Sequence, residues 1–157
     1  MTMIDLETIR GELANDPLGL GYAALVEVAN DQALAAMLNE KNRPGRRVNK
    51  RWEIKKFLIG TGTYAKLYFL REDVNQNPTV RGLAISALAW IDDTGIVDVD
   101  VDLAETQTLI NGLHAATIID DAVKTAFLAL ADTDISRVEE LGAIGDTITA
   151  EQVGGCR

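Results

Sequence analysis

Cysteine is nearly absent from this chain. Cys156 is the only one, so no intramolecular disulfide and no cysteine-based metal cluster can form within a single copy. Histidine is equally scarce. His114 stands alone, and any imidazole metal site or Ser/His/Asp triad would have to be built around it. Its place near a predicted helix end suits a favourable interaction with the helix dipole instead. Aromatic residues make up only 5% of the sequence, and its apolar content is mainly Ala, Leu, Ile and Val. That mix favours packed helices over a β-sandwich. No apolar run approaches the ~20 residues of a membrane-spanning helix. The start, Met1-Thr2-Met3-Ile4-Asp5, has no basic head followed by an apolar run, so no secretory leader is expected.

What is present points to one helical domain. The 157 residues, 47% hydrophobic, suffice for a single core, and one domain over 1–157 is expected. The predicted fold is all-α: a compact bundle of about six to eight short helices, with one extended acidic connector at residues 96–102. Ile9 and Leu13 continue a stripe begun by Leu6, over a first helix from about Ile4 to Ala14. Asn15-Asp16-Pro17 stops it. Tyr22 to Val28 reads as a short apolar helix, and Asp31 as the cap of the next. Asn42-Arg43-Pro44-Gly45 is a turn. Trp52, Ile54, Phe57 and Leu58 predict a helix from about Asn49, which Gly60-Thr61-Gly62 ends. Asn77-Pro78 opens the most hydrophobic helix, up to Ile91 and expected to be central. Three capping boxes are predicted, at Asp102–Glu105, Ser136–Glu139 and Thr149–Gln152.

Two motifs resemble known chemistry and fail where that chemistry is strictest. Asp98, Asp100 and Asp102 repeat the opening of a calcium loop. Such a loop needs glycine at its sixth position and a bidentate glutamate at its twelfth. Leu103 and Leu109 stand there. Gly60-Thr61-Gly62-Thr63-Tyr64-Ala65 echoes a dinucleotide fingerprint, but a helix precedes it and no βαβ pattern surrounds it. No enzyme, metal or cofactor is expected.

Charge is the sharpest feature. The net charge is −9, yet residues 41–56 hold eight bases against Glu53 alone, between acidic segments on both sides. The candidate interaction residues are Arg43, Arg46, Arg47, Lys50, Arg51 and Trp52. A basic stretch can bind nucleic acid through phosphate contacts, dock an acidic protein surface, or simply be solvated. The acidic remainder of the chain opposes nucleic acid, so a protein partner is the preferred reading.

The run Asp16-Pro17-Leu18-Gly19-Leu20-Gly21-Tyr22-Ala23, followed by a helix ending Leu38-Asn39, resembles the N-terminal signature of a group of small helical proteins. These are encoded by tailed bacteriophages and prophages among virion structural genes. Ser136-Arg137-Val138-Glu139-Glu140-Leu141-Gly142, and the stretch closing on Gln152-Val153, are similar to that group's C-terminus. The heavy basic run from Arg46 to Lys56 departs from it. The resemblance implies a tail-associated virion or virion-assembly protein, made in the host cytoplasm, whose partners are other virion proteins or further copies of itself. The alternatives are a small nucleic-acid-binding regulator using residues 41–56, and an intracellular phage accessory protein.

Overall fold

Helix-stop signals recur so often along this chain that its helices are short, and each depends on packing for its stability. The computed structural model describes residues 4–157, of which ten helices form the bulk. Contacts divide it into two compact units. Unit 1 takes the described residues up to Arg46 together with Thr133–Arg157. Unit 2 is the continuous stretch Arg47–Asp132.

Unit 1 contains α1 (Leu6–Asn15), α2 (Tyr22–Glu27), α3 (Asp31–Asn39) and β1 (Arg43–Arg46) from the first segment. The second segment contributes α9 (Arg137–Leu141) and α10 (Ala150–Gly154). Its core joins Ile9, Leu13, Tyr22, Leu34 and Leu38 to Val138, Ile148 and Val153. Two chain segments about a hundred residues apart in sequence therefore meet here. Asp16 ends α1 in a left-handed conformation (φ 38°). Its carboxylate accepts the backbone N–H groups of Leu20 and Gly21 at 2.7 and 2.8 Å. That turn delivers Tyr22, fully buried, to the core. The Tyr22 hydroxyl donates to Glu12 at 3.4 Å, and Arg137 grips the same carboxylate with two bonds of 2.8 and 2.6 Å. Ser136 caps α9 in a full capping box with Glu139, and Thr149 caps α10 with Gln152. Glu139 also accepts from Lys41 (3.0 Å) and the Gly145 N–H (2.8 Å). Burial pushes its pKa up, but the Ser136 N–H, the Lys41 ammonium and the Gly145 N–H outweigh this and hold it at about 2.

Unit 2 contains β2 (Asn49–Lys50), α4 (Arg51–Gly60), α5 (Thr63–Glu72), α6 (Pro78–Asp92), β3 (Asp98–Val99), α7 (Ala104–Ala115) and α8 (Asp121–Leu128). A single 3-10 turn, Ala129–Ala131, follows. Asn77 caps α6 and Pro78 occupies its first turn, as the sequence predicts. The helix is central: it packs against α4, α5 and α7, and buries Ala84, Ala87, Leu88 and Ile91. Leu83 is only half-buried. Ile54, Leu58, Leu67, Ile110, Leu113 and Phe127 complete the core.

Several expectations need correction. The fold is predominantly helical but not purely all-α, and the ten helices among the described residues exceed the six to eight expected. The short segments α2, α9 and α10, each signalled in the sequence, form helices of five or six residues in their own right. Two small strand pairs also form. β1 pairs with β4 (Asp132–Ile135), and β2 pairs antiparallel with β3. The acidic run at 96–102 is thus not a free connector. Asn49 opposes Val99 and Lys50 opposes Asp98, so the basic stretch supplies its partner strand. Opposite charges directly across a strand pair favour that register. Leu6 is exposed, although its spacing placed it on the apolar stripe. Asn30, not Asp31, caps α3. No side chain caps α7, whose N-cap position is Leu103, so the box predicted at Asp102 does not form. Gly45 has a steric role: a Cβ there would lie 2.6 Å from the Ile135 side chain.

Candidate protein-contact site

The basic stretch begins at the end of unit 1 and continues into unit 2. Most of its cations are matched within their own unit. In unit 1, Lys41 pairs with Glu139 and Arg43 with Glu140 at 2.6 Å. Arg46 is exposed on β1 and also engaged. In unit 2, Arg47 makes a two-bond pair with Glu53 (2.9 and 3.2 Å). Glu53 accepts the Lys50 backbone N–H as well, at 2.8 Å, and so caps the start of α4. The Arg47 bonds and then that N–H hold its carboxyl below the usual range. Lys50 pairs with Asp98. Arg51 donates to the Ile91 carbonyl at 2.8 Å, in the last turn of α6. Lys55 pairs with Asp92 at 2.6 Å, at the last residue of the same helix. Cations at a helix C-terminus satisfy free carbonyls and complement the dipole. Among the described residues Lys56 has no ion-pair partner.

This arrangement gives the local charge run a structural origin. Its positive charges answer β3, the end of α6 and the start of α4 in unit 2, and α9 in unit 1. The sequence marks them as one patch because they are adjacent in the chain. Of the six expected interaction residues, Arg47 and Trp52 border one cleft. Lys50 and Arg51 are engaged elsewhere in unit 2. Arg43 and Arg46 belong to unit 1.

The cleft has a volume of about 410 Å³ and is lined by Arg47, Trp52, Glu53, Lys56, Phe57, Gly60, Thr61 and Leu130. Its chemistry is largely apolar. The Trp52 side chain is 60% exposed and Ile59, seven residues on, is 55% exposed. That spacing returns to the same face of α4 after two turns, with Lys56 between them. Phe57 packs edge-on against buried Phe127, with ring centroids 6.1 Å apart, which anchors the cleft wall to the core. Sequence reasoning singled out Trp52 but missed Lys56, Phe57 and Leu130. Helical spacing from Trp52 could have found Lys56. Nothing local signals Leu130, which enters through tertiary packing.

The other candidate motifs stay structural. Gly62 sits at φ 74° in the turn between α4 and α5, where a left-handed backbone favours glycine. His114 lies 2.9 Å from Asp121, in the last turn of α7. Asp98 pairs with Lys50, and Asp100 accepts the Asp102 N–H. Among the described residues, no group of three or more His, Cys, Asp or Glu side chains is placed to hold a metal ion. Nor is any helix among them long and apolar enough to cross a membrane. No family model, no curated protein and no solved structure matches this chain.

Proposed function

We propose that this chain is a virion or virion-assembly protein of a tailed bacteriophage, tail-associated and made in the host cytoplasm, which works by protein–protein contact. The phage setting rests on the resemblance carried by residues 16–23 and 136–142. The contact role rests on one observation: Trp52 and Ile59 stand exposed on one face of α4 beside an apolar cleft. Exposed aromatic side chains next to a pocket are the usual anchors of protein interfaces. The contact residues on this reading are Trp52 and Lys56, with Arg47 at the cleft edge. Arg43, Lys50 and Arg51 act within their own units, and Arg46 is engaged as well.

The rival is a nucleic-acid-binding regulator using residues 41–56. Its appeal is the charge run, and the pairing of Arg47, Lys50 and Lys55 with carboxylates weakens that appeal. Nucleic-acid affinity of that kind comes from cations that neutralise phosphates and release the nucleic acid's counterions, and a cation already matched by a carboxylate must give up that pair to do so. Mass spectrometry of purified particles tests the proposal. Fixed copy number, with cross-links from Lys56 to a particle protein, is the expected result. Absence from both particles and assembly intermediates would point to the regulator or to an accessory protein.

A further inference from the structure

The most exposed apolar side chains of unit 2 are Phe69 at 77% and Val74 at 76%. They stand five residues apart around the C-terminal end of α5, and between them lie Glu72 and Asp73. Neither residue contributes to the unit 2 core. Glu72 is ion-paired with its neighbour Arg71, while the Asp73 side chain accepts the Asn75 backbone N–H and has no ion-pair partner among the described residues. Phe69 and Val74 together make an exposed apolar corner, and apolar surface rimmed by polar groups is a feature of protein contact sites.

The cleft on α4 has the opposite character. Trp52, Phe57 and Leu130 offer apolar walls, and Lys56 offers a cation with no ion-pair partner among the described residues. None of Phe69, Glu72, Asp73 and Val74 lines that cleft. One patch is apolar with carboxylates, and the other is an apolar cleft with an ammonium. Resting on the protein-contact reading above, we infer that the two patches meet between copies of this chain: the Phe69–Val74 corner of one copy seats in the Trp52–Lys56 cleft of the next. Phe69 fills the apolar cleft, and Asp73 answers Lys56.

A contact between two different patches of one protein is heterologous. It leaves a free corner at one end and a free cleft at the other, so it propagates into a ring or an open filament rather than stopping at a dimer. Charge complementarity at such a contact sets the partner and register.

Two full-length variants test it, each altered only at exposed side chains and each checked by circular dichroism for unchanged helix content. The cleft variant carries Trp52→Ala and Lys56→Glu. The corner variant carries Phe69→Ser and Val74→Ser. Sedimentation velocity of the wild type should show species that grow with concentration beyond a dimer. Each variant alone should lose at least roughly tenfold in association constant. An equimolar mixture of the two should form a 1:1 heterodimer and stop, because only one functional cleft and one functional corner remain.

A wild type that stays monomeric at the highest attainable concentration overturns the inference. So does a mixture that fails to pair, or association that survives in either variant alone. A monomeric wild type whose Lys56 still cross-links to a different particle protein would overturn self-contact while leaving the broader protein-contact reading intact. Absence from particles bears on that broader reading alone.

Discussion

Both units of this chain use ion pairs, but in different settings. In unit 1 two of the paired carboxylates are inside. Glu12 and Glu139 side chains are 3% and 1% exposed, and the Arg137 side chain that binds Glu12 is 11% exposed. In unit 2 the pairs lie at the surface: Lys50 and Asp98 are each about half exposed, and Lys55 and Asp92 about a third. A buried pair is a commitment, because removing one partner strands the other away from water. A surface pair contributes little, because water and salt compete with it. Unit 1 therefore relies on a specific polar network to join two distant chain segments. Unit 2 relies on a continuous apolar core, with its charges tuning helix ends.

The sharpest way to break this contrast is Arg137→Met. It should cost about 3–5 kcal/mol by leaving Glu12 buried and unpaired. The double change Glu12→Leu with Arg137→Met should recover much of that loss in urea unfolding. A double variant as unstable as the single would mean that packing, not charge, makes the site. In unit 2 the comparable injury is apolar. Leu88→Ala, at 2% exposure on α6, should cost about 2–5 kcal/mol.

Glu139 sharpens the contrast through pH. Its folded pKa of about 2 lies below the model-compound value of 4.5. Its stabilising contribution is therefore fully present above pH 4.5 and falls away as pH drops toward 2. Glu139→Gln should cost about 1–3 kcal/mol at neutral pH and flatten that acid-side slope. Acid unfolding curves of the two proteins check this, and parallel curves would contradict it.

Asn49 breaks the rule for unit 2. It is fully buried, and among the described residues neither its amide nitrogen nor its amide oxygen has a hydrogen-bond partner. It lies directly opposite Val99, so both side chains share one face of the strand pair. Asn49→Leu should be neutral or stabilising by about 1 kcal/mol, because an unpaired buried amide is costly. A loss above that size in thermal unfolding would show that the amide has a partner such as a bound water. The smallest effect belongs to Lys50→Ala. It should change stability by no more than about 1 kcal/mol, and less as salt rises.

The sequence disclosed the helices most clearly where a cap and an apolar face coincide, as at Asn77-Pro78 and Ser136–Glu139. It hid the strand pairs, since two residues such as Asn49-Lys50 give no period, and β3 looks unpartnered until the chain folds back. It also misdirected the charge argument. Adjacent cations look like one surface patch, but several of their carboxylate partners are distant in the chain, 37 residues away for Lys55–Asp92 and 98 for Lys41–Glu139. Trp52 was legible as an oddity within a basic run. Phe69 and Val74 were not, because exposure is a tertiary property and their residue types fit a core equally well.

The central claim is that the basic stretch is chiefly a folding device and leaves Trp52 and Lys56 as a protein contact. Duplex DNA titration across a salt series tests this most directly, from about 50 to 200 mM, with wild type and an Arg46, Arg47, Lys50, Arg51-to-Glu variant. The account predicts no saturable binding by the wild type even at the low-salt end. It also predicts that the variant loses stability, because it reverses Arg47 and Lys50 against their carboxylates. Tight binding that collapses with salt and vanishes in a fully folded variant would contradict it.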